Sequence, residues 1–183
     1  MIEKRKETTE KAVLRVAEQM LTAAVTAPKA HGADHLEAFI LTGEDKDRLA
    51  DHMREIYRET GADFFNRDAG NVDNSVCVLI LAARNEPILL EHCGYCGFRD
   101  CAEMAAAGGN CAFNVTDLGI AVGSAVSVAA DNRVDSRVMF SAGQAALRMD
   151  FLAPSVRVCY GIPLSAGTKS IYFDRDPGAV LVE

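Results

Sequence analysis

Tryptophan is absent from this 183-residue chain, and with it the largest side chain on which a nucleobase can stack. Positive charge is also scarce. The 19 Lys and Arg are outnumbered by 26 Asp and Glu, leaving a net charge of −7, and they form no basic stripe. Nucleic acid is therefore not an expected partner. No apolar run reaches the roughly 20 residues that cross a bilayer. VCVLILAA (76–83) and GIAVGSAVSVAA (119–130) are the most apolar stretches, and both are shorter. The opening MIEKRKETTEKA is charged, with no apolar segment behind it, so no secretory leader is expected. These absences point to a soluble cytoplasmic protein with no membrane partner. Asn114-Val115-Thr116 matches the glycosylation sequon, but without a secretory signal the match reads as accidental.

What is present suits one globular domain spanning 1–183, with a cysteine-rich insertion at 92–112. Hydrophobic residues make up 49% of the chain, enough to bury a core without disulfides. In a reducing compartment, clustered thiols more often hold metal than pair with one another.

Apolar spacing predicts a helix over 8–27, capped by Thr8 or Thr9, with Val13, Val16, Ala17, Met20, Leu21 and Ala24 on its inner face. HLEAFILTG (35–43) reads as a strand. A helix near 44–60 follows, with Leu49, Met53, Ile56 and Tyr57 inward, Asp45 and Asp47 at its acidic start and Gly61 as its C-cap. The polar stretch 61–74 reads as loop. SVCVLILAA (75–83) is continuously apolar, which marks a strand covered on both faces. Residues 115–131 form a helix apolar nearly all round, expected at the centre of the fold. Along it Gly119, Gly123 and Ser127 share a face that admits close approach, either inside one subunit or against a twin helix in a dimer. A helix over 136–150, with Val138, Ala142, Ala145, Ala146 and Met149 inward, and a strand SVRVCYGIP (155–163) complete the order, and the tail from 164 has no clear period. Helices and strands mix without βαβ alternation, so the fold class is α+β with one sheet in two or three layers.

Four of the six cysteines fall within nineteen residues, as Cys93-x2-Cys96-x4-Cys101-x9-Cys111. Cys77 and Cys159 lie in expected strands and read as core residues. Gly94 and Gly97 each follow a cysteine, so the backbone can turn and bring its N–H groups near sulfur. Gly108-Gly109 supplies the reversal that returns Cys111 to the other three. Four thiolates suit either zinc or an iron–sulfur cluster. Zinc favours paired C-x2-C knuckles, and only one is present. Clusters accept more varied spacing, although the plant-type order C-x4-C-x2-C is the reverse of this one. The spacing favours a cluster and leaves zinc, disulfides or free thiols open.

The remaining polar residues carry less. His31 and His35 are four apart but lie between Pro28 and a strand, which suits a turn or surface role better than a metal face. His92 abuts Cys93 and reads either as a donor to a bound centre or as a polar loop residue. No P-loop, dinucleotide fingerprint or nucleophile elbow is present.

CGYCGFRDC, CAFNVTDLGIAVGSAVS, the DNRV stretch and YGIPLSAGTKSIYFDR, with the earlier TAPKAHGAD and FFNRDAGNV, resemble a group of uncharacterised bacterial and archaeal proteins described as containing a ferredoxin domain. The likeness covers nearly the whole chain. It implies that Cys93, Cys96, Cys101 and Cys111 ligate an iron–sulfur cluster, by analogy of the 4Fe-4S type, and that the protein carries electrons. The element order is also similar to the flavin-dependent nitroreductases, whose first helix ends in Ala-Pro, as at Thr26-Ala27-Pro28, and whose last strand ends in Gly-x-Pro, as at Gly161-Ile162-Pro163. That resemblance implies an interlocked homodimer holding FMN at its interface, with the cysteine segment inserted before the long helix. It would make the protein an oxidoreductase that reduces a small substrate with flavin. The nitroreductase Arg-x-Ser-x-Arg phosphate grip is missing here, and the nearest basic run is Lys4-Arg5-Lys6. Lys29, Lys169 and Arg175 are the candidates to replace it. The alternative is a zinc-braced binding or structural module without redox activity.

Overall fold

A computed structural model describes residues 2–173. Its elements run α1 (Arg5–Thr26), β1 (Leu36–Leu41), α2 (Gly43–Thr60), α3 (Asp63–Asp73), β2 (Cys77–Arg84), α4 (Cys101–Ala106), α5 (Ala112–Asp131), β3 (Asp135–Ser136), α6 (Phe140–Ala146) and β4 (Val156–Ser165). The four strands form one antiparallel sheet in the order β1-β2-β4-β3.

The continuous apolar run of β2 is what makes three layers. Its side chains alternate between faces. Val78, Ile80 and Ala82 enter a core with α2, α3 and α6, whereas Cys77, Leu79, Leu81 and Ala83 enter a second core with α1 and α5. Both faces are therefore dry, as expected for a covered central strand.

α1 begins at Arg5, three residues before the expected start. Thr8 is inside it and donates its hydroxyl to the Lys4 carbonyl at 3.1 Å, so neither Thr8 nor Thr9 caps it. α2 closes as expected: Gly61 adopts φ 72° and donates its N–H to Tyr57 O at 2.8 Å. The expected loop 61–74 is instead helix α3. Phe65, Asp68, Ala69 and Val72 recur at helical spacing and are buried against α2, which outweighs the weak propensities of Gly70 and the flanking Asn and Asp.

The expected helix 136–150 is also corrected. Its first residue, Ser136, pairs with β4 as part of β3, and helix runs only over Phe140–Ala146. Val138, placed inward by the pattern, is exposed, while Ala142, Ala145, Ala146 and Met149 are buried as expected. β4 continues past Pro163 to Ser165. Met139 and Gly161 exchange two hydrogen bonds, so the next hydrogen-bonded pair matches Arg137 with Pro163. Pro163 has no N–H to give, and the pairing lapses there before resuming at β3.

α5 is the largest departure in burial. By length and composition it is apolar enough to cross a membrane, yet Leu118, Ala121, Ala125 and Ala129 pack it onto α1 and the sheet as a core helix. Its outer face is bare in the single chain. Ile120 is 42% exposed and Val115 37%. A Cβ added at Gly119 or Gly123 would meet nothing within 4 Å, so the small-residue face is not packed inside the subunit.

Three buried acids make stability fall at high pH. Burial pushes the Cys77 and Cys159 thiols up from 9.0 to about 12, and a neighbouring Glu37 charge adds to the effect on Cys159. Burial likewise lifts Tyr172 from 10.0 to about 12, against hydrogen bonds from Ser165 and Ser75 that lower it. Raised values mean that the native chain keeps protons the unfolded chain has released. The associated stability is complete below about pH 9 and is lost as pH rises towards 12. Denaturant midpoints measured from pH 8 to 11 should decline, and more gently in a Cys77→Ala, Cys159→Ala chain than in the wild type. A flat profile to pH 11 would contradict this burial.

Candidate metal centre

The segment joining β2 to α5 (85–111) carries the clustered cysteines beyond the end of the sheet. Its turns rest on glycine: Gly94, Gly97 and Gly108 have φ of 62°, 84° and 69°. Gly97 N–H donates to Gly94 O at 2.9 Å, closing a tight turn between Cys93 and Cys96. Gly109 is required for another reason. A Cβ there would stand 2.9 Å from Phe98 Cε2 and 3.0 Å from Met104 Cγ. The expected reversal at Gly108-Gly109 is thus half conformational and half steric.

Cys101 opens α4, whose N-cap is Asp100. The Asp100 carboxylate accepts from Glu103 N–H at 2.8 Å, and Glu103 accepts in return from Arg99 N–H at 2.7 Å. The Glu103 N–H and the Arg99 guanidinium hold the Asp100 carboxyl below its ordinary value. Cys111 is the N-cap residue of α5, at the positive end of a 20-residue helix, where negative charge is favoured. Tyr95 stacks on Phe113 with centroids 5.4 Å apart, tying the loop to the first turn of α5.

All four cysteines line one cavity of about 280 Å3. Its other walls are largely apolar and include Ile88, Leu90, Phe98, Met104 and Phe113. Cys111 is buried, while Cys93, Cys96 and Cys101 are partly exposed, and none forms a disulfide. Among the described residues, no three Cys, His, Asp or Glu side chains stand close enough together to hold a single metal ion. Tetrahedral zinc, with Zn–S near 2.3 Å, would need its sulfurs within about 4 Å of one another. His92 lies on the same cavity wall, held at φ 57°.

Other candidate residues lie elsewhere. Lys29 Nζ donates to the carbonyls of Ala24, Val25 and Ala27 at 3.2, 2.7 and 2.8 Å, using its three protons to cap the end of α1. Lys169 is exposed and lines a groove of about 380 Å3 that also takes in Arg5, Lys6, Thr9, Asn74 and Ser165. Arg175 lies outside the described residues. His31 occupies a short turn at φ 57°, and His35 Nδ1 stands 3.0 Å from Glu86 Oε2 without hydrogen-bond alignment. They do not share a metal face. Cys77 and Cys159 are in the core, as expected.

Two asparagines at the base of the loop escaped the sequence reading. Asn85 bridges Gly109 and Cys111 through its side-chain amide, and Asn114 accepts from Glu86 N–H at 3.1 Å. Asn114 is only 3% exposed, so its sequon is not offered to solvent. The one available signal was an Asn immediately following an apolar strand, which is a weak one.

Comparison with known proteins agrees with the architecture. The fold resembles that of an oxidoreductase containing FMN, with a TM-score of 0.57, 16% identity, and coverage of 85% of this chain and 67% of the other. Nitroreductase A from Vibrio parahaemolyticus gives a TM-score of 0.56 at 12% identity, covering 85% and 59% of the two chains. The nitroreductase-like α+β body is therefore established as a fold. Residues 107–175 match the family described as "Uncharacterized protein containing a ferredoxin domain (DUF2148)". The match contains Cys111, while Cys93, Cys96 and Cys101 lie upstream of it. A protein of Archaeoglobus fulgidus, described as uncharacterised, is 40% identical over 166 residues, covering 86% of this chain and 89% of that one. That likeness extends well beyond 107–175, and the chain belongs to the family of uncharacterised proteins containing a ferredoxin domain.

Proposed function

We propose that this protein is an oxidoreductase-type electron carrier in which Cys93, Cys96, Cys101 and Cys111 ligate an iron–sulfur cluster of the 4Fe-4S type. The observation that carries the reading is that all four cysteines line one largely apolar cavity of about 280 Å3. A polynuclear centre several ångströms across suits that arrangement better than a single zinc ion does. Such a cluster supplies one-electron transfer. The chain's own residues do the rest: the glycine turns let the backbone bend beside Cys93 and Cys96, Cys111 stands at the favourable end of α5, and Phe98, Met104 and Phe113 limit access of water.

The nitroreductase-like body supports a second site. Arg5, Lys6 and Lys169 gather in one groove of a size that takes a mononucleotide, and cations there suit the phosphate of FMN. Arg175 belongs to the same proposed set. A homodimer built on the outer face of α5 would cover Ile120 and the Gly119, Gly123, Ser127 stripe that the single chain leaves open. With flavin bound, the protein would reduce a small organic substrate.

Protein purified without oxygen should be brown, with broad absorption near 400 nm that bleaches on adding dithionite. Added FMN should lose fluorescence on binding, and an Arg5→Glu, Lys169→Glu variant should bind it at least about tenfold more weakly. Colourless protein would overturn the cluster. Equal FMN affinity in the variant would remove the phosphate site.

A further inference from the structure

We infer that Asn85 is a positioning residue for the cysteine centre, fixing Cys111 to the protein body whether or not a metal is bound. Its consequence for redox potential rests on the cluster reading above, while its consequence for thiol geometry does not. Asn85 follows β2 immediately after the register break between Ala83 and Arg84. Its own N–H donates to Ser155 O at 2.8 Å, which anchors its backbone to the start of β4. Its side chain then reaches across the base of the loop. Nδ2 donates to Gly109 O at 2.8 Å, and Oδ1 accepts from Cys111 N–H at 3.0 Å. One amide thus grips the chain on both sides of Asn110.

The next residue repeats the connection from the other direction. Glu86 N–H donates to Oδ1 of Asn114, a buried residue in the first turn of α5. Residues 85 and 86, where the loop leaves the sheet, are thereby clasped to residues 109–114, where it rejoins the body. Among the described residues Cys93 and Cys96 have no hydrogen-bonded clasp of this kind: their turn closes on itself and meets the body through the Tyr95–Phe113 stack. Cys111 is accordingly the fixed sulfur of the four, at 6% exposure, and the other three are brought to it.

The grip needs a donor and an acceptor on one short side chain. Aspartate keeps the acceptor for Cys111 N–H but turns an oxygen toward Gly109 O and adds negative charge beside the centre. Leucine has similar volume and makes neither bond. A purely structural asparagine would affect all buried thiols alike through global stability. A positioning residue affects Cys111 selectively.

The test uses the full chain with Asn85→Asp and Asn85→Leu. In metal-free, reduced protein, iodoacetamide labelling is followed at each cysteine by mass spectrometry, with Cys77 and Cys159 as reporters of global opening. Asn85→Leu should raise the Cys111 rate about tenfold, the size expected from losing one or two net hydrogen bonds, with Cys77 and Cys159 unchanged. In protein loaded with iron and sulfide, Asn85→Asp should keep its iron and shift the reduction equilibrium about tenfold towards the oxidised form, about 59 mV for one electron. A Cys111 rate that stays at the wild-type value, or rises only together with Cys77 and Cys159, overturns the positioning role. A loaded Asn85→Asp protein with the wild-type potential overturns the redox consequence. Wild-type protein that takes up no iron or sulfide overturns the cluster reading instead, and the labelling result still decides the clasp.

Discussion

Replacing Cys96 by alanine should strip the protein of iron and sulfide, to below about a tenth of the wild-type content, while the metal-free chain stays as stable as before. The two halves of this expectation have separate physical origins. Cys96 sits in the glycine turn Gly94–Gly97, is partly exposed, and belongs to neither hydrophobic core. Removing its sulfur deletes one of four ligands and leaves one iron without a protein thiolate, which weakens retention of the cluster. Removing it costs the body little, because half-exposed substitutions away from the core usually change stability by no more than about 0.5 kcal/mol. Iron and sulfide assays on variant and wild type, with denaturant unfolding of both in metal-free form, read the two halves. A Cys96→Ala protein with full iron would remove this residue from the ligand set. Loss of stability in the metal-free variant would favour a structural brace.

The largest expected effect on folding is at Gly143. This helix residue lies where α6 crosses β4, and its missing side chain is what lets the two backbones touch. A Cβ there would drive into the Cys159 carbonyl oxygen, with the carbonyl carbon at 2.5 Å and Tyr160 Cα at 3.0 Å. Those atoms are backbone of β4, held by its pairing with β2 and by the adjoining Met139–Gly161 bridge, so none can rotate away. A Cβ added at Gly161 would likewise stand 2.5 Å from Ala142 Cβ, which shows the same crossing from the strand side. Overpacking that side chains can absorb costs about 1–3 kcal/mol, and a clash with fixed backbone exceeds it. Gly143→Ala should destabilise the chain by about 4 kcal/mol or more, a large share of the stability of an ordinary domain. By contrast, Gly123→Ala on the open face of α5 should be neutral in a monomer and, if the dimer forms there, should weaken association. Chemical denaturation of both variants at several protein concentrations separates the effects. A Gly143→Ala chain within about 1 kcal/mol of wild type would contradict the crossing described here.

The cysteine spacing picked out side chains that line one cavity because four sulfurs in so short a span leave few places to put them, and the glycines beside them are legible one residue at a time. The strand β2 was legible for the same reason: an unbroken apolar run of that length has to be covered on both faces. α3 was not, because its buried Phe65, Ala69 and Val72 are interleaved with Gly70, Asn71 and Asp residues whose local preference is turn. What holds it helical is α2, a contact the sequence does not announce. β3 was hidden similarly. Two residues form a strand only because β4 offers them free partners beyond Pro163. α5 was read as central because it is apolar all round, yet the single chain covers one side of it, so the rest of that pattern belongs to whatever the outer face meets. Asn85 and Asn114 are barely marked by pattern. Their partners are backbone groups brought close only when the loop closes.

Metal, acid-labile sulfide and zinc assayed per chain, on full-length protein purified without oxygen, bear most directly on whether the sulfurs of residues 93, 96, 101 and 111 share one inorganic centre. About four iron and four sulfide per chain, with negligible zinc, is the expected result. One zinc per chain with no sulfide, or no metal at all after reconstitution with iron and sulfide, would contradict it.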